Sequence, residues 1–110
     1  MAISYLRKYL TPAAATETTI YTAPDATTAV ISSLRATNES ANLASLTVAL
    51  YPGGGATPYY LLRAYSLPSN QTMDAFSGIA CVLESGDVLK VTSTQASVDF
   101  YLSYMQLDRT

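Results

Sequence analysis

The stretch Ser45-Leu46-Thr47-Val48-Ala49-Leu50-Tyr51 decides the fold class. Leu46, Val48 and Leu50 fall on one side of an extended chain, with Ser45, Thr47 and Ala49 on the other. That two-residue period marks a strand with one buried face. Toward the C-terminus the same alternation returns, Val98, Phe100, Leu102 and Tyr104 against Ser97, Asp99, Tyr101 and Ser103. Leu89 and Val91 alternate with Val88 and Lys90 after Ser85-Gly86-Asp87, a triplet whose glycine supplies the positive φ that a tight hairpin needs.

Further strands are expected over Ile3 to Leu10, Thr18 to Thr22, Ala29 to Asn38, Tyr59 to Leu67, Gln71 to Phe76 and Ile79 to Leu83. Between them lie Ala23-Pro24-Asp25-Ala26, Asn38 to Asn42, Pro52-Gly53-Gly54-Gly55 and Pro68-Ser69-Asn70, all rich in residues that fix or free φ. About eight short strands separated by such turns predict an all-β chain, a single antiparallel β-sandwich of jelly-roll or Ig-like type with an N-terminal strand or arm. The Ala-rich stretches Pro12 to Glu17 and Glu39 to Leu46 have helix propensity, but each is shorter than the roughly 12 residues an unsupported helix needs, so one helical turn is the most either can form. Thr11 to Thr19 reads as a linker. The domain reading is therefore a strand or arm plus linker over residues 1–15 and a sandwich over residues 16–110.

Composition narrows the function. Of 110 residues, 49% are hydrophobic and 13% charged, which suits one small globular domain. The polar surface is built from hydroxyls, with 14 Thr, 12 Ser and 9 Tyr against 2 Phe and no Trp. With no His and the single Cys81, the common zinc sets, Ser/His and Cys/His nucleophile pairs and any intrachain disulfide are excluded. The acidic residues form no calcium-loop pattern, so neither metal nor cofactor is expected. A formal charge of −2 with scattered basic residues argues against nucleic-acid binding.

Arg7 and Lys8 interrupt what a signal peptide would keep apolar, and no run reaches the ~18 apolar residues of a membrane span. The expectation is a chain made and kept in a cytoplasm, with no membrane partner. The triplets Asn38-Glu39-Ser40 and Asn70-Gln71-Thr72 read as chance glycosylation signals. Cys81 between Ala80 and Val82 reads as a small buried hydrophobe.

Three candidate sites need weighing. The run Pro52-Gly53-Gly54-Gly55 lacks the Lys and the following helix of a phosphate loop and reads as a flexible strand connection. Asp74 and Asp99 could meet across strands as an acid–base pair, although nothing singles them out; no enzyme is expected. The tyrosines carry the stronger signal. Ile3, Tyr5, Arg7 and Tyr9 would share one face of the first strand, and Tyr59, Leu61, Arg63, Tyr65 and Leu67 one face of another. Tyr with Arg is the composition of an interface core, and the bland alternative is ring packing inside the sandwich with the hydroxyls at its rim.

From Ile20-Tyr21-Thr22-Ala23-Pro24-Asp25-Ala26-Thr27-Thr28-Ala29-Val30-Ile31, through Asn38 with Ser40-Ala41 and the strand and loop Leu46 to Gly54, to the Leu-x-x-Gly-Asp-Val-Leu-x-Val pattern of Leu83 to Val91, the chain resembles small β-sandwich virion proteins of tailed bacteriophages. The likeness spans Thr18 to Leu107 and leaves out Met1 to Ala15. It implies a non-enzymatic virion protein that decorates or cements the capsid by bridging neighbouring shell subunits. The implied partners are a major capsid protein or another virion protein and further copies of itself, a trimer being favoured. The alternatives are a receptor- or glycan-binding fibre module and a neck or tail ring component. Ile3 to Leu10 would then dock on a neighbour's sheet edge.

Overall fold

The computed structural model describes residues 2–76 and 81–108. Nine strands follow in order: β1 (Ala2–Leu10), β2 (Thr18–Thr22), β3 (Thr27–Asn38), β4 (Ala44–Tyr51), β5 (Tyr59–Leu67), β6 (Thr72–Asp74), β7 (Cys81–Leu83), β8 (Val88–Ser93) and β9 (Val98–Asp108). The first half of the expected strand Ile79 to Leu83 lies outside the described residues. Among these, the one helical element is a 3₁₀ turn at Pro52–Gly54, and neither Ala-rich stretch is helical.

One sheet has the order β1-β9-β3-β6, with β7 also pairing β3; the other has the order β2-β8-β4-β5. β6 pairs β3 at Arg35 to Thr37 and β7 pairs it at Ala29 to Ile31, so together they act as one interrupted strand. The antiparallel pairs are then nested: first with last, second with next to last, down to β4 with β5. A long hairpin rolled up on itself gives this arrangement, so of the two expected sandwich types the chain adopts the jelly roll.

Alternation places the core as the sequence implies. Val98, Phe100, Leu102 and Tyr104, with Ile31, Leu34 and Leu83 of the same sheet, are buried against Leu46, Val48, Leu89 and Val91 of the other. In β3 the period breaks once. A bulge between Ile31 and Ser33 inserts one residue, so the buried set runs Ala29, Ile31, Leu34, Ala36.

Three expectations are corrected, and one open pairing is decided. The Ser85-Gly86-Asp87 turn does use a positive φ at Gly86, but β7 and β8 belong to different sheets, so it is a crossover and not a hairpin. Its Asp87 carboxylate accepts the Gly53 N–H and the Glu84 N–H, both at 2.9 Å, and Gly86 lies against the Gly53 backbone. The glycine run is thereby a fixed turn, held by charge-assisted hydrogen bonds.

Asp74 and Asp99 do not meet, because β3 runs between their strands. Asp74 instead accepts the Phe76 N–H at 3.0 Å and the Leu34 N–H at 3.4 Å. Tyr59, Leu61, Arg63, Tyr65 and Leu67 do not share a face, because two bulges interrupt β5 where it pairs with β4. The residues opposite the inward Leu50, Val48, Leu46 and Ala44 are Tyr59, Leu62, Tyr65 and Leu67.

Asn38 is fully buried, which removes its triplet as a surface glycosylation signal. Its Nδ2 donates to the carbonyls of Asn42 (2.8 Å) and Leu67 (2.9 Å), and its Oδ1 accepts from the N–H (2.9 Å) and hydroxyl (2.6 Å) of Ser40. All four hydrogen-bonding positions of the amide are used, tying the β3–β4 loop to the end of β5.

Candidate interaction surface

β1 is the edge strand of its sheet, with nine residues paired in unbroken register to β9. Leu6, Lys8 and Leu10 lie opposite the inward Tyr104, Leu102 and Phe100; Ile3, Tyr5, Arg7 and Tyr9 lie opposite Leu107, Met105, Ser103 and Tyr101 on the outer face. The structure therefore gathers the first group of expected interface residues on one face. They are well exposed, Ile3 at 56%, Tyr5 at 83% and Tyr9 at 74%, so these rings are not packed inside the sandwich.

Strand register extends this face across the sheet in rows. Tyr5, Met105, Val30 and Val82 form an apolar row across four strands. Arg7, Ser103 and Ser33 follow, then Tyr9, Tyr101, Arg35 and Asp74. The face thus grades from aliphatic at one end, where Ile3 and Leu107 adjoin the first row, through hydroxyl to charged at the other. Val30, Val82, Met105 and Leu107 were missed as interface candidates. Their signal was the outward parity of apolar residues on strands whose inward positions were already filled.

At the polar end Thr11, on the β1–β2 connection, donates its hydroxyl to Asp99 at 2.6 Å. The Asp99 carboxyl is held below its ordinary range, first by its hydrogen bond with Glu39 and then by Thr11. Glu39 is correspondingly raised, chiefly by its side-chain hydrogen bond with Asp99 and then by the neighbouring Asp99 charge. Shallow depressions beside this pair are lined by Arg35, Thr37, Thr72 and Tyr101. Among the described residues no three His, Cys, Asp or Glu side chains come together as a metal site.

The second expected group stands on β5, the edge of the other sheet, and is not brought near the first. β1 lies over β2, and β5 is at the far end of the order β2-β8-β4-β5. Tyr59, Leu61 and Tyr65 are exposed, and the Arg63 guanidinium stacks 4.7 Å from the Tyr60 ring centre. Ala64 takes a positive φ of 52° at the bulge, where its N–H donates to the Thr47 hydroxyl at 3.2 Å.

Between the sheets, under β1, Tyr21 and Tyr104 pack with ring centres 4.6 Å apart, and the Tyr21 hydroxyl donates to Gln106 at 2.8 Å. Burial and then the neighbouring Tyr104 push the Tyr21 phenol up to about 12. Cys81 is half-buried against the core with its thiol raised, mainly by burial.

No protein-family model matches the sequence, and no curated protein is similar to it. Solved structures share the fold. A chain from the disulfide-linked pili of Bacillus endospore appendages superposes with a TM-score of 0.60 at 13% identity, over 99% of this chain and 88% of that one. A chain of the T13 infectious bursal disease virus particle superposes with a TM-score of 0.56 at 10% identity, over 97% of this chain but 31% of its own length. A pentameric capsid protein from metagenomic phage sequences matches more loosely, with a TM-score of 0.45 at 20% identity. For the first two, at these identities, the shared property is the fold alone.

Proposed function

We propose that this chain is a non-enzymatic structural protein of a virion, a capsid decoration or cement protein that bridges neighbouring shell subunits. The observation that carries this reading is the open outer face running from Ile3, Tyr5 and Tyr9 across β9 to Val82, together with the exposed β5 on the opposite edge. Two aromatic contact surfaces on opposite sides of one rigid sandwich suit a protein that touches two neighbours at once. Rigid Tyr rings supply contact area at low entropic cost, and surrounding Ser and Thr are solvated without charge repulsion. The fold is one that both a viral particle and a pilus use for repeated building blocks. A disulfide-linked filament needs at least two cysteines per subunit, whereas Cys81 can join one partner.

The test is co-sedimentation with purified phage heads. The chain should bind assembled shells at a stoichiometry matching the shell lattice, and Tyr5→Ser with Tyr9→Ser should weaken binding while leaving the circular dichroism spectrum unchanged. Binding by the isolated protein to cell-surface glycans, with no affinity for shells, would replace this reading with the fibre-head alternative.

A further inference from the structure

We infer that the free edge of β1 is a pairing surface for a second copy of this chain, with the two β1 strands antiparallel about a two-fold axis through Leu6. This does not depend on the virion reading. An open sheet edge invites strand addition unless something blunts it. Among the described residues three of the four edges are blunted. β6 and β7 are three residues each, β2 is five residues with a register break at Ile20, and β5 carries two bulges. β1 is nine residues long, has no register break, and is exposed from Ile3 to Tyr9. Its one inward-facing charge, Lys8, is drawn back over the Tyr21 ring at 5.4 Å and so does not guard the edge.

Side-chain complementarity selects both the occupant and the register. In a continuous sheet, opposed residues must face the same side, so a two-fold pairing of β1 with itself can centre only on a residue. Centring on Arg7 or Lys8 sets like charges directly opposite each other. Centring on Leu6 keeps all nine residues paired. Ile3 then meets Tyr9 of the second copy, Tyr5 meets Arg7, Ser4 meets Lys8, and Leu6 meets Leu6. These are aromatic with β-branched, aromatic with guanidinium, and aliphatic with aliphatic, and no charge opposes its like. The pairing would join two five-stranded sheets edge to edge and double the graded outer face without covering it.

Cysteine scanning reads the register directly. In a Cys81→Ser background, Leu6→Cys should oxidise to a covalent dimer, because directly opposed residues sit about 4.5–5.5 Å apart at Cα, within disulfide reach. Ser4→Cys alone and Lys8→Cys alone should dimerise without forming the covalent link, while a mixture of the two should cross-link. Sedimentation of unlinked variants supplies a second measurement. Tyr5→Glu, facing Arg7 of the other copy twice by symmetry, should tighten dimerisation, and Tyr5→Lys should weaken it, each by about two- to thirty-fold. A chain that stays monomeric at high micromolar concentration overturns the inference. So does a dimer in which Ser4→Cys cross-links as readily as Leu6→Cys, or in which the two Tyr5 substitutions act alike.

Discussion

Replacing Asn38 by Ala should be among the most damaging single changes outside the apolar core. The side chain makes four hydrogen bonds from a fully buried position, and truncation strands each partner differently. The Ser40 N–H and hydroxyl lie nearer the surface and can turn to water. The Leu67 carbonyl is bonded in a buried setting and keeps its desolvation cost, about 1–3 kcal/mol for an unsatisfied group. Adding a net contribution of roughly 0.5–1 kcal/mol for each of the three remaining bonds gives a loss of about 2.5–6 kcal/mol. Against a total stability of about 5–15 kcal/mol this is a large share. With a urea slope near 1.5 kcal/mol/M, the midpoint should fall by about 2–4 M, read by circular dichroism with the slope unchanged.

Asn38→Asp keeps the shape but loses both donors and sets a carboxylate against two carbonyls. It should be at least as damaging at neutral pH, and its deficit should shrink on acidification as that carboxyl, raised by burial, takes up a proton. Asn42→Ala is the control, since the Asn42 group that Asn38 uses is a backbone carbonyl, and it should cost less than about 0.5 kcal/mol. A loss below about 1 kcal/mol for Asn38→Ala, with two-state unfolding intact, would refute the accounting and leave Asn38 as one turn residue among several.

Ala64→Gly should stabilise the chain by about 0.5–1 kcal/mol by relieving the left-handed backbone at the β5 bulge, and Ala64→Val should destabilise it; denaturant midpoints read both. Asp99→Asn should bring the Glu39 carboxyl back down toward its ordinary range, since both causes that raise it most come from Asp99; carboxyl NMR titration would show no movement if the two were independent. At alkaline pH the chain should lose stability as pH rises from about 10 through about 12. The folded Tyr21 phenol holds its proton over that window while the unfolded one releases it. Tyr21→Phe should remove that contribution to the slope of stability against pH.

Within strands the sequence is legible residue by residue. Leu46 and Val48, with Val98, Phe100, Leu102 and Tyr104, fall inward by period alone and are buried, because strand geometry sends alternate side chains to opposite faces wherever pairing is regular. The β3 bulge also leaves a trace, apolar residues at 29, 31, 34 and 36 being spaced two, three, two. In β5 the apolar residues Tyr59 to Leu62 run together, so no spacing marks where the bulges fall. Geometry against β4, with the Thr47 hydroxyl holding Ala64, decided that Leu62 and Leu67 reach the core while the rings stay exposed.

What this sequence determined by itself is the all-β class, the positions of most turns, the inward residues of regular strands and the sharing of one face by Ile3, Tyr5, Arg7 and Tyr9. These depend on interactions within a few residues. What only the tertiary structure decided is which strands are neighbours. That sends the Ser85-Gly86-Asp87 turn across the sandwich, separates Asp74 from Asp99, buries Asn38 at the junction of two loops, and lines up Tyr5, Met105, Val30 and Val82. Those residues come from four distant segments, and long-range pairing, set by how all the apolar faces can be covered at once, leaves no local pattern to read.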